Sequence, residues 1–445
     1  MSLKVRFAPS PTGLLHIGNA RIAVVNSLLA QKMNAKFLLR IDDTDFSRSR
    51  REYEEEIIKD LEWLGIKHDE FFRQSERLDR YNEVRDNLLA SGALYKCYES
   101  VEELEYKRKL ALSRGKTPVY DRASLNLSQS EIKYHEENRT PYCIRFKLPD
   151  TTVSWDDLVV GHVSYDLTSI SDPIIVKADG SYLYSFCSVV DDIDSEITHI
   201  VRGQDHLTNT AAQISMFDHI LGCKNSISFA HLSLLVCKDG SQFSKRIGSS
   251  SLGDLRRAGV HPMTINNILS TLGTSKNTQT FLAMKDLVEY FDIKSFGTNS
   301  PKFDPDMINT INKKILHSMP YDMFVSENKH SNISEQQYNI IHGNVENLTE
   351  YDEWSEILSS SYKPCKSGES DIIASLIAEI QQQSNICDFA AAIKNVSTKT
   401  GISGKELYVP IRMAITGREH GPNISEICEL LGCDEVLRRL TESLN

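Results

Sequence analysis

The chain has 445 residues, which is enough for about three domains at ~150 residues each. Hydrophobic residues at 40% and charged residues at 25% are typical of a globular protein, and no apolar run approaches the ~18 residues of a membrane span. The net charge of −11 does not favour nucleic acid, so phosphate contacts would have to come from local basic patches. Because residues 1–4 lead directly into the first predicted strand, we expect no signal peptide and a cytoplasmic location.

Nine cysteines are scattered from Cys97 to Cys433, and none of them forms a C-x-x-C pair. An odd number with this spacing argues against a disulfide framework and against a thiolate zinc site. We therefore expect reduced structural thiols.

The first predicted elements are a strand over residues 5–8, a Pro/Gly turn and a helix. Pro9 and Pro11 end the strand, because proline cannot donate to a sheet and does not continue a helix. Gly18 allows a close approach to a ligand, and apolar residues follow it with helical spacing. His16 lies at the helix entrance, whose unpaired N–H groups suit phosphate. The alternative is a surface turn with a solvated histidine.

This turn resembles the nucleotide-binding signature of class I aminoacyl-tRNA synthetases, in the form found in bacterial-type glutamyl-tRNA synthetases. The residues that carry the resemblance are Pro9-Ser10-Pro11-Thr12-Gly13 and His16-Ile17-Gly18-Asn19. The spacing differs from that of the dinucleotide fingerprint and from that of the P-loop, so neither of those motifs supplies the phosphate site.

The next strand is predicted at residues 36–41, and a cluster of acidic residues follows it. Carboxylates at the end of a buried strand are typical of ligand contacts in open α/β sheets. The alternative is structural, because Asp45 precedes a predicted helix at residues 48–64 and could act as its N-cap. The cluster is similar to the family's acidic box, which normally opens with glutamate. Here the first position is Asp42, one methylene shorter.

A charged and mostly helical module is predicted over residues 81–148, with strands returning at 142–148 and 152–157. In the resemblance this module is the insert that receives the tRNA acceptor stem. Many relatives hold zinc here with three cysteines and a further ligand, whereas this sequence retains only Cys97. The expected metal content is therefore no zinc.

Strands are predicted again at residues 174–176 and 197–203, and Arg202 follows four largely apolar positions. A charge at the end of a buried strand is costly unless it meets an anion. The alternative is a structural ion pair with Asp191 or Asp192. The resemblance favours a substrate, because Tyr184, Arg202 and Asp205 match positions of the family's amino-acid and ATP contacts.

A polar loop follows a strand at residues 229–235, and taken by itself it could be simply solvated. It resembles the second signature of class I synthetases, which normally begins with lysine where this chain has Gln242. Lys245, the second lysine of that motif, is retained.

The remaining chain is predicted to be helical, with a junction at residues 300–305. Residues 404–422 resemble the family's anticodon-binding region, where Arg412, Arg418 and His420 could contact bases. Residues 401–445 hold more acidic than basic residues, so these side chains could instead be paired structurally.

The resemblance implies an α/β fold: a Rossmann-like doubly wound catalytic domain with an inserted acceptor-stem module, followed by an all-α anticodon-binding domain. The implied divisions are 1–80 and 173–250 for the two halves of the catalytic domain, 81–172 for the insert, 251–315 for a helical stem-contact region and 316–445 for the anticodon-binding domain.

The implied reaction is ATP-dependent activation of L-glutamate and its transfer to the 3′ end of tRNA, by a monomer. The expected cofactor is ATP with Mg²⁺. His16 and Lys245 are expected to be catalytic. Glutamate is expected to contact Arg6, Ala8, Ser10, Asp42, Tyr184 and Arg202. ATP is expected to contact His16, Gly18, Asn19, Asp205, Leu235, Ser244, Lys245 and Arg246. Whether the tRNA partner is glutamate tRNA alone, or glutamine tRNA as well, stays open.

Two other functions compete with this interpretation. The departures at Asp42 and Gln242 would fit a paralogue that binds tRNA and has lost its chemistry. A small-molecule nucleotidyltransferase could share the first signature. The long helical C-terminal part argues against that enzyme and against truncated relatives that modify a tRNA base.

Overall fold

The computed structural model describes residues 2–241, 251–277, 279–327, 332–363, 370–383 and 387–444. The chain divides into two compact units. The first comprises Met1–Asp254 with Ile265–Asp304, and the second comprises Leu255–Thr264 with Pro305–Asn445.

The strands, numbered in chain order, are β1 Lys4–Phe7, β2 Lys36–Ile41, β3 Glu70–Arg73, β4 Leu94–Cys97, β5 Cys143–Phe146, β6 Thr152–Asp157, β7 Gly161–Asp166, β8 Ile174–Val176, β9 His199–Gly203, β10 Ser228–Leu232, β11 Val236–Cys237 and β12 Lys302–Phe303. The helices up to residue 290 are α1 Ile17–Met33, α2 Arg51–Trp63, α3 Leu78–Ala90, α4 Val101–Ser113, α5 Gln129–Glu137, α6 Tyr184–Asp194, α7 Leu207–Leu221, α8 Leu252–Arg257, α9 Pro262–Thr271 and α10 Met284–Tyr290. Those that follow are α11 Asp306–Ser318, α12 Tyr321–Glu327, α13 Glu335–Ile341, α14 Thr349–Ile357, α15 Ser370–Gln381, α16 Phe389–Thr400, α17 Lys405–Thr416, α18 Ile424–Leu431 and α19 Cys433–Ser443.

A five-stranded parallel sheet forms the centre of the first unit, in the order β10-β9-β1-β2-β3. The chain builds outward from β1 to β3 on one side and from β9 to β10 on the other. The strand order therefore reverses between β1 and β9. In open parallel sheets a crevice forms at the carboxyl ends of the strands at such a point, and ligands bind there.

Helix α1 lies directly after β1 and buries most of its surface. Its apolar positions Ala20, Val24, Val25 and Leu28 are almost completely buried, as the helical spacing in the sequence predicts. The helix ends at Asn34, which adopts the left-handed conformation with φ 51°. Asparagine tolerates that conformation better than most residues do, so it forms an effective C-cap.

The segment between β3 and β9 carries two smaller sheets. Strands β4, β5 and β8 form an antiparallel sheet, in which Cys97 lies opposite Cys143. Strands β6 and β7 form a hairpin that continues beside β10, where the backbone N–H of Leu158 donates to the carbonyl of Phe229 at 2.9 Å. The hairpin thereby covers an edge of the central sheet.

The second unit is helical apart from its turns, within the ranges that the structure describes. Its core contains an aromatic cluster in which Phe324, Tyr338 and Tyr351 lie with ring centroids 4.4 to 5.7 Å apart. The predicted fold class, a parallel α/β core with a helical C-terminal part, is confirmed.

One sequence expectation is wrong. Cys387 and Cys433 form a disulfide, so the thiols are not all reduced. The two residues are 46 positions apart, and the fold brings their Cα atoms to 6.0 Å. A search for closely spaced cysteines cannot find such a pair. None of the helices described by the structure is both long and apolar enough to span a bilayer.

Candidate active site

A cavity of about 720 Å³ opens in the crevice between β1 and β9. It is lined by ten of the residues that the sequence predicts as substrate or ATP contacts, namely Arg6, Ala8, Ser10, His16, Gly18, Asn19, Tyr184, Arg202, Asp205 and Leu235. Asp42 is not among its lining residues. Ser244, Lys245 and Arg246, together with Gln242, lie outside the residues that the structure describes.

His16 is the N-cap of α1. Its Nδ1 accepts hydrogen bonds from the backbone N–H groups of Gly18 at 3.1 Å and Asn19 at 3.4 Å. A neutral imidazole that accepts at Nδ1 carries its proton at Nε2, so the second ring nitrogen is a donor. A Cβ atom on Gly18 would lie 2.9 Å from His16 Cε1, so a larger residue at this position would displace the imidazole. The imidazole thus caps the N–H groups of Gly18 and Asn19 at the helix entrance, where the partial positive charge of the helix N-terminus favours an anion.

Arg202 is a nearly buried cation, with 5% of its surface exposed. Its Nη2 donates to Thr210 Oγ1 at 2.6 Å, its Nη1 to Tyr184 Oη at 3.3 Å and its Nε to His231 Nε2 at 3.4 Å. No carboxylate among the described residues lies within ion-pair distance, and burial lowers the pKa of the guanidinium below its ordinary value. A buried cation with neutral partners is costly by itself, so the arrangement favours a bound anion.

Asp191 and Asp192 are occupied elsewhere, so the structural ion pair considered for Arg202 is not formed. Asp192 accepts from Arg6 Nε at 3.2 Å and from Arg40 Nη1 at 2.8 Å. Asp191 accepts from Arg77 Nε at 2.6 Å. The two carboxylates thus orient Arg6 and Arg40. Neither of them pairs with Arg202, whose guanidinium borders the cavity.

Asp42 faces Arg40. Its two oxygens accept from Arg40 Nε at 2.6 Å and Nη2 at 3.2 Å. Burial raises the pKa of Asp42 to about 6, although Arg40 opposes that shift. The structure thus holds this carboxylate in a buried ion pair behind the cavity wall, and its contact with substrate stays a prediction.

The other two acidic residues that follow β2, Asp43 and Asp45, bond to protein groups, Asp43 over a long sequence distance and Asp45 within its own turn. Asp43 accepts from the N–H and the hydroxyl of Ser75. Asp45 accepts from Ser47 and Arg48 before α2 begins, and the N-cap of α2 is Arg50, without a side-chain hydrogen bond. The N-cap alternative for Asp45 is therefore not what the structure shows.

Sequence reasoning missed several polar residues around the cavity. Arg21 lines it and donates to the carbonyls of Ser233 at 2.6 Å and Leu272 at 3.0 Å. His206 also lines it, with its ring 5.6 Å from that of Tyr184. Arg21 could have been recognised from the sequence, because it is a charged residue on the otherwise buried face of α1.

The region where many relatives hold zinc is organised around a carboxylate. Glu99 accepts from Ser124 Oγ at 2.6 Å, from Tyr120 Oη at 2.8 Å and from Cys97 Sγ at 3.2 Å. These bonds connect the end of β4 to residues 120–124. Within the described ranges, no group of three or more His, Cys, Asp or Glu side chains is arranged to hold a metal ion.

The candidate base-contacting residues of the second unit differ from one another. Arg418 pairs with Glu353 and lies 4.9 Å from the ring centroid of Trp354, as the structural alternative predicts. Arg412 borders a cavity of about 340 Å³ with Tyr408 and His420, and its buried Nη1 has no hydrogen-bond partner among the described residues.

Comparisons with known proteins agree along the whole chain. Residues 2–310 match the catalytic domain of class I tRNA synthetases (E and Q), and residues 345–444 match an anticodon binding domain. Glutamate–tRNA ligase 1 of Maricaulis maris is 43% identical over 98% of both chains, and glutamate–tRNA ligase 2 of Ehrlichia canis is 42% identical over 99% of both. A crystal structure of a glutamate tRNA ligase from Elizabethkingia meningosepticum, in complex with its amino acid, superposes with a TM-score of 0.82 at 25% identity. That likeness covers 100% of this chain and 99% of the other.

Proposed function

The chain belongs to the class I tRNA synthetases of the glutamate and glutamine family, and from this premise we propose that it is a glutamate–tRNA ligase. In the first step the α-carboxylate of glutamate attacks the α-phosphate of ATP and releases pyrophosphate. In the second step the 3′-terminal ribose of tRNA captures the glutamyl group and releases AMP. Neither step requires a covalent protein nucleophile, so positioning and charge stabilisation carry the chemistry.

One observation supports glutamate most directly, namely that the buried Arg202 borders the cavity and has no carboxylate partner in the part of the chain that the structure describes. The side-chain carboxylate of glutamate would supply the missing negative charge. Arginine suits this task because its planar guanidinium matches a carboxylate with paired donors. Arg6, held by Asp192, would contribute its remaining donors, while Ala8 and Ser10 would form the wall beside the substrate.

Tyr184 and Asp42 are proposed to orient the amino end of glutamate. Tyr184 lines the cavity and already contacts Arg202. Asp42 would act either by leaving Arg40 or through Arg40, since the two are paired at 2.6 Å.

ATP would be held where the helix entrance meets the crevice. His16 would contact phosphate oxygens at the helix entrance, where Gly18 and Asn19 line the cavity, and Asp205 and Leu235 line the same cavity. The predicted contacts Ser244, Lys245 and Arg246 follow in sequence, and Lys245 would neutralise the departing pyrophosphate. Mg²⁺ would accompany ATP and would help to neutralise the negative charge of its phosphates, as in phosphoryl transfer generally.

The proposal also includes the finer expectations from the sequence. The enzyme would act as a cytoplasmic monomer without bound zinc. Its chain would be divided into five parts, with boundaries at residues 80, 172, 250 and 315. Its partner would be glutamate tRNA, with glutamine tRNA as an additional candidate substrate.

The test is ATP–pyrophosphate exchange with glutamate, with and without tRNA, followed by charging of glutamate and glutamine tRNA transcripts. We expect glutamate-dependent exchange that requires tRNA, as the family resemblance implies. Exchange without any RNA would overturn the tRNA requirement alone. Absence of both exchange and charging, with tRNA binding intact, would indicate the non-catalytic paralogue. Exchange that requires a different small molecule would indicate the nucleotidyltransferase.

A further inference from the structure

A chain of buried hydrogen bonds runs behind Arg202 from the hairpin of β6 and β7. Asp157 Oδ2 lies 2.5 Å from His231 Nδ1, and His231 Nε2 lies 2.7 Å from Thr210 Oγ1. Thr210 Oγ1 in turn accepts from Arg202 Nη2 at 2.6 Å. His231 and Thr210 are completely buried, and Asp157 is 5% exposed. The four residues come from four separate elements of the fold.

The proton positions along this chain follow from the charges. Burial acts to raise the pKa of Asp157, but the hydrogen bonds from His231 and from backbone N–H groups hold it below its ordinary value. Burial and the nearby charge of Arg202 lower the pKa of His231, so the imidazole is neutral at neutral pH. The ionised Asp157 can only accept, and therefore Nδ1 of His231 carries the proton. Nε2 is then an acceptor.

This direction matters for Arg202, which can only donate. The acceptor at His231 Nε2 faces Arg202 Nε at 3.4 Å and lies 2.7 Å from the hydroxyl of Thr210, which also lies 3.0 Å from the carbonyl oxygen of His206. The hydroxyl has one proton for these two acceptors, and the shorter distance favours His231 Nε2. The oxygen of Thr210 is then available to Arg202 Nη2. With these donors held on one side, Nη1 of the guanidinium faces Tyr184 in the cavity wall. The opposite tautomer would place an N–H against the donors of Arg202.

We propose that Asp157 and His231 are positioning residues for glutamate recognition, which act by fixing a tautomer that aims Arg202 at the substrate carboxylate. This inference rests on the proposed function. The competing explanation is purely structural, because Asp157 Oδ1 also accepts the N–H groups of Val159 at 3.0 Å and Val160 at 3.1 Å and closes the hairpin.

The division of labour between the two oxygens of Asp157 gives a selective variant. Oδ1 accepts the backbone N–H groups, and among the described residues Oδ2 accepts only from the imidazole. In Asp157→Asn the amide oxygen can keep the backbone contacts, while the amide NH₂ faces Nδ1 and requires the opposite tautomer. Asp156→Asn is the matched control, since Asp156 makes a 2.9 Å contact with His162 on the same hairpin in an exposed position.

Glutamate-dependent ATP–pyrophosphate exchange on the full-length protein with tRNA tests the proposal. For Asp157→Asn we expect the KM for glutamate to rise about tenfold or more, with the KM for ATP unchanged and the preference for glutamate over glutamine reduced. Asp156→Asn should match the unmodified protein. The double variant Asp157→Asn, His231→Gln should recover part of the loss, because no imidazole tautomer remains to be inverted. An unchanged KM for glutamate in Asp157→Asn, or a double variant that is worse than the single one, would overturn the proposal.

If Asp157→Asn fails to fold, Thr210→Val and Thr210→Ser replace it, because only serine keeps the hydroxyl between His231 and Arg202. Equal glutamate KM values for these two variants would count against the proposal.

A measurement without turnover separates this proposal from the proposed function. In ¹H–¹⁵N long-range spectra, the signals lost in His231→Gln identify His231 and report which ring nitrogen carries the proton. We expect Nδ1 protonation in the unmodified protein and Nε2 protonation in Asp157→Asn. Nε2 protonation in the unmodified protein would overturn the proposal even if the enzyme activates glutamate. Normal tautomers without glutamate-dependent exchange would instead count against the proposed function.

Discussion

Arg202 and the pair of Arg6 with Asp192 show two ways of placing a cation at the same cavity. Arg6 has its counter-ion inside the protein at 3.2 Å, whereas Arg202 has neutral partners. A cation that already has its anion gains less from a second one. Arg202 therefore contributes more than Arg6 to the recognition of the substrate's negative charge.

Arg202→Gln should impair use of glutamate without producing an efficient glutamine enzyme. The substitution removes the cation but leaves Arg6 and a wall shaped for a carboxylate, so a neutral amide gains no complementary partner. Sites built around a specific polar partner discriminate by ~10⁴–10⁵ against analogues that lack it. Competition kinetics with glutamate and glutamine give the readout, and Arg202→Lys tests whether charge without the planar fork suffices. An unchanged preference for glutamate would show that another residue reads the substrate.

Lys245→Ala should lower kcat far more than it raises the KM for glutamate. A charge that acts on departing pyrophosphate stabilises mainly the transition state, and loss of one such donor costs roughly 10²–10³ in rate. Lys238→Ala is the control, because Lys238 is an exposed lysine paired with Asp304. Near-normal turnover of purified Lys245→Ala would make Lys245 an ordinary loop lysine.

At the scale of elements, strong local signals gave correct boundaries. Strand β2 and helix α9 begin and end where the sequence predicts. The first has an apolar centre of Phe37, Leu38 and Leu39, and the second starts at a proline. Strands β3 and β4 were missed. Each has only four residues, and partner strands that are distant in sequence hold them in place.

The candidate site followed the same rule. The residues near the first signature were predicted because they are contiguous in sequence and match a family pattern, and they line one cavity. The residues of the second signature lie outside the described ranges and stay a prediction. The buried pair of Asp157 and His231 was not found, since 74 positions separate the two and only the packing of the hairpin against β10 joins them. Asp42 was expected at the cavity because it follows a strand. Arg40, which lies on that strand, instead forms an ion pair with it.

The entrance of α1 provides a prediction for an element. In Gly18→Ala the new methyl group would meet His16 Cε1 at 2.9 Å, so the imidazole must move and the N-cap weakens. We expect a higher KM for ATP and a loss of about 1 kcal/mol in the free energy of unfolding. Gly343→Ala is the matched control, because a Cβ atom there meets nothing within 4 Å. If the KM for ATP were unchanged in Gly18→Ala, the helix entrance would not be the phosphate site. ATP–pyrophosphate exchange and urea unfolding give the two readouts.

At the scale of the molecule, a net charge of −11 has to coexist with a polyanionic partner. Contacts with tRNA must therefore depend on a small number of basic side chains that are not already paired with carboxylates. The salt-dependent part of the affinity comes from the phosphates that such side chains neutralise. A truncation near Leu316 would test the second unit poorly. Ile315 and Leu316 are completely buried within α11, so the cut would expose core, and point variants in the full chain are the sharper test.

Arg412→Ala and Arg418→Ala should separate base recognition from structure. Arg412 lines a cavity together with Tyr408, and its buried Nη1 has no hydrogen-bond partner within the described ranges. Unstacked bases of an RNA loop are recognised by aromatic and guanidinium groups of this kind. We expect Arg412→Ala to raise the KM for tRNA and to change the ratio of glutamate tRNA to glutamine tRNA charged, while the KM for ATP stays the same. Arg418→Ala should lower thermal stability, because it removes the contacts with Glu353 and Trp354, and should leave that ratio unchanged. Charging of both transcripts by each variant measures the ratio. If neither variant changes it, the acceptor-stem insert selects the tRNA.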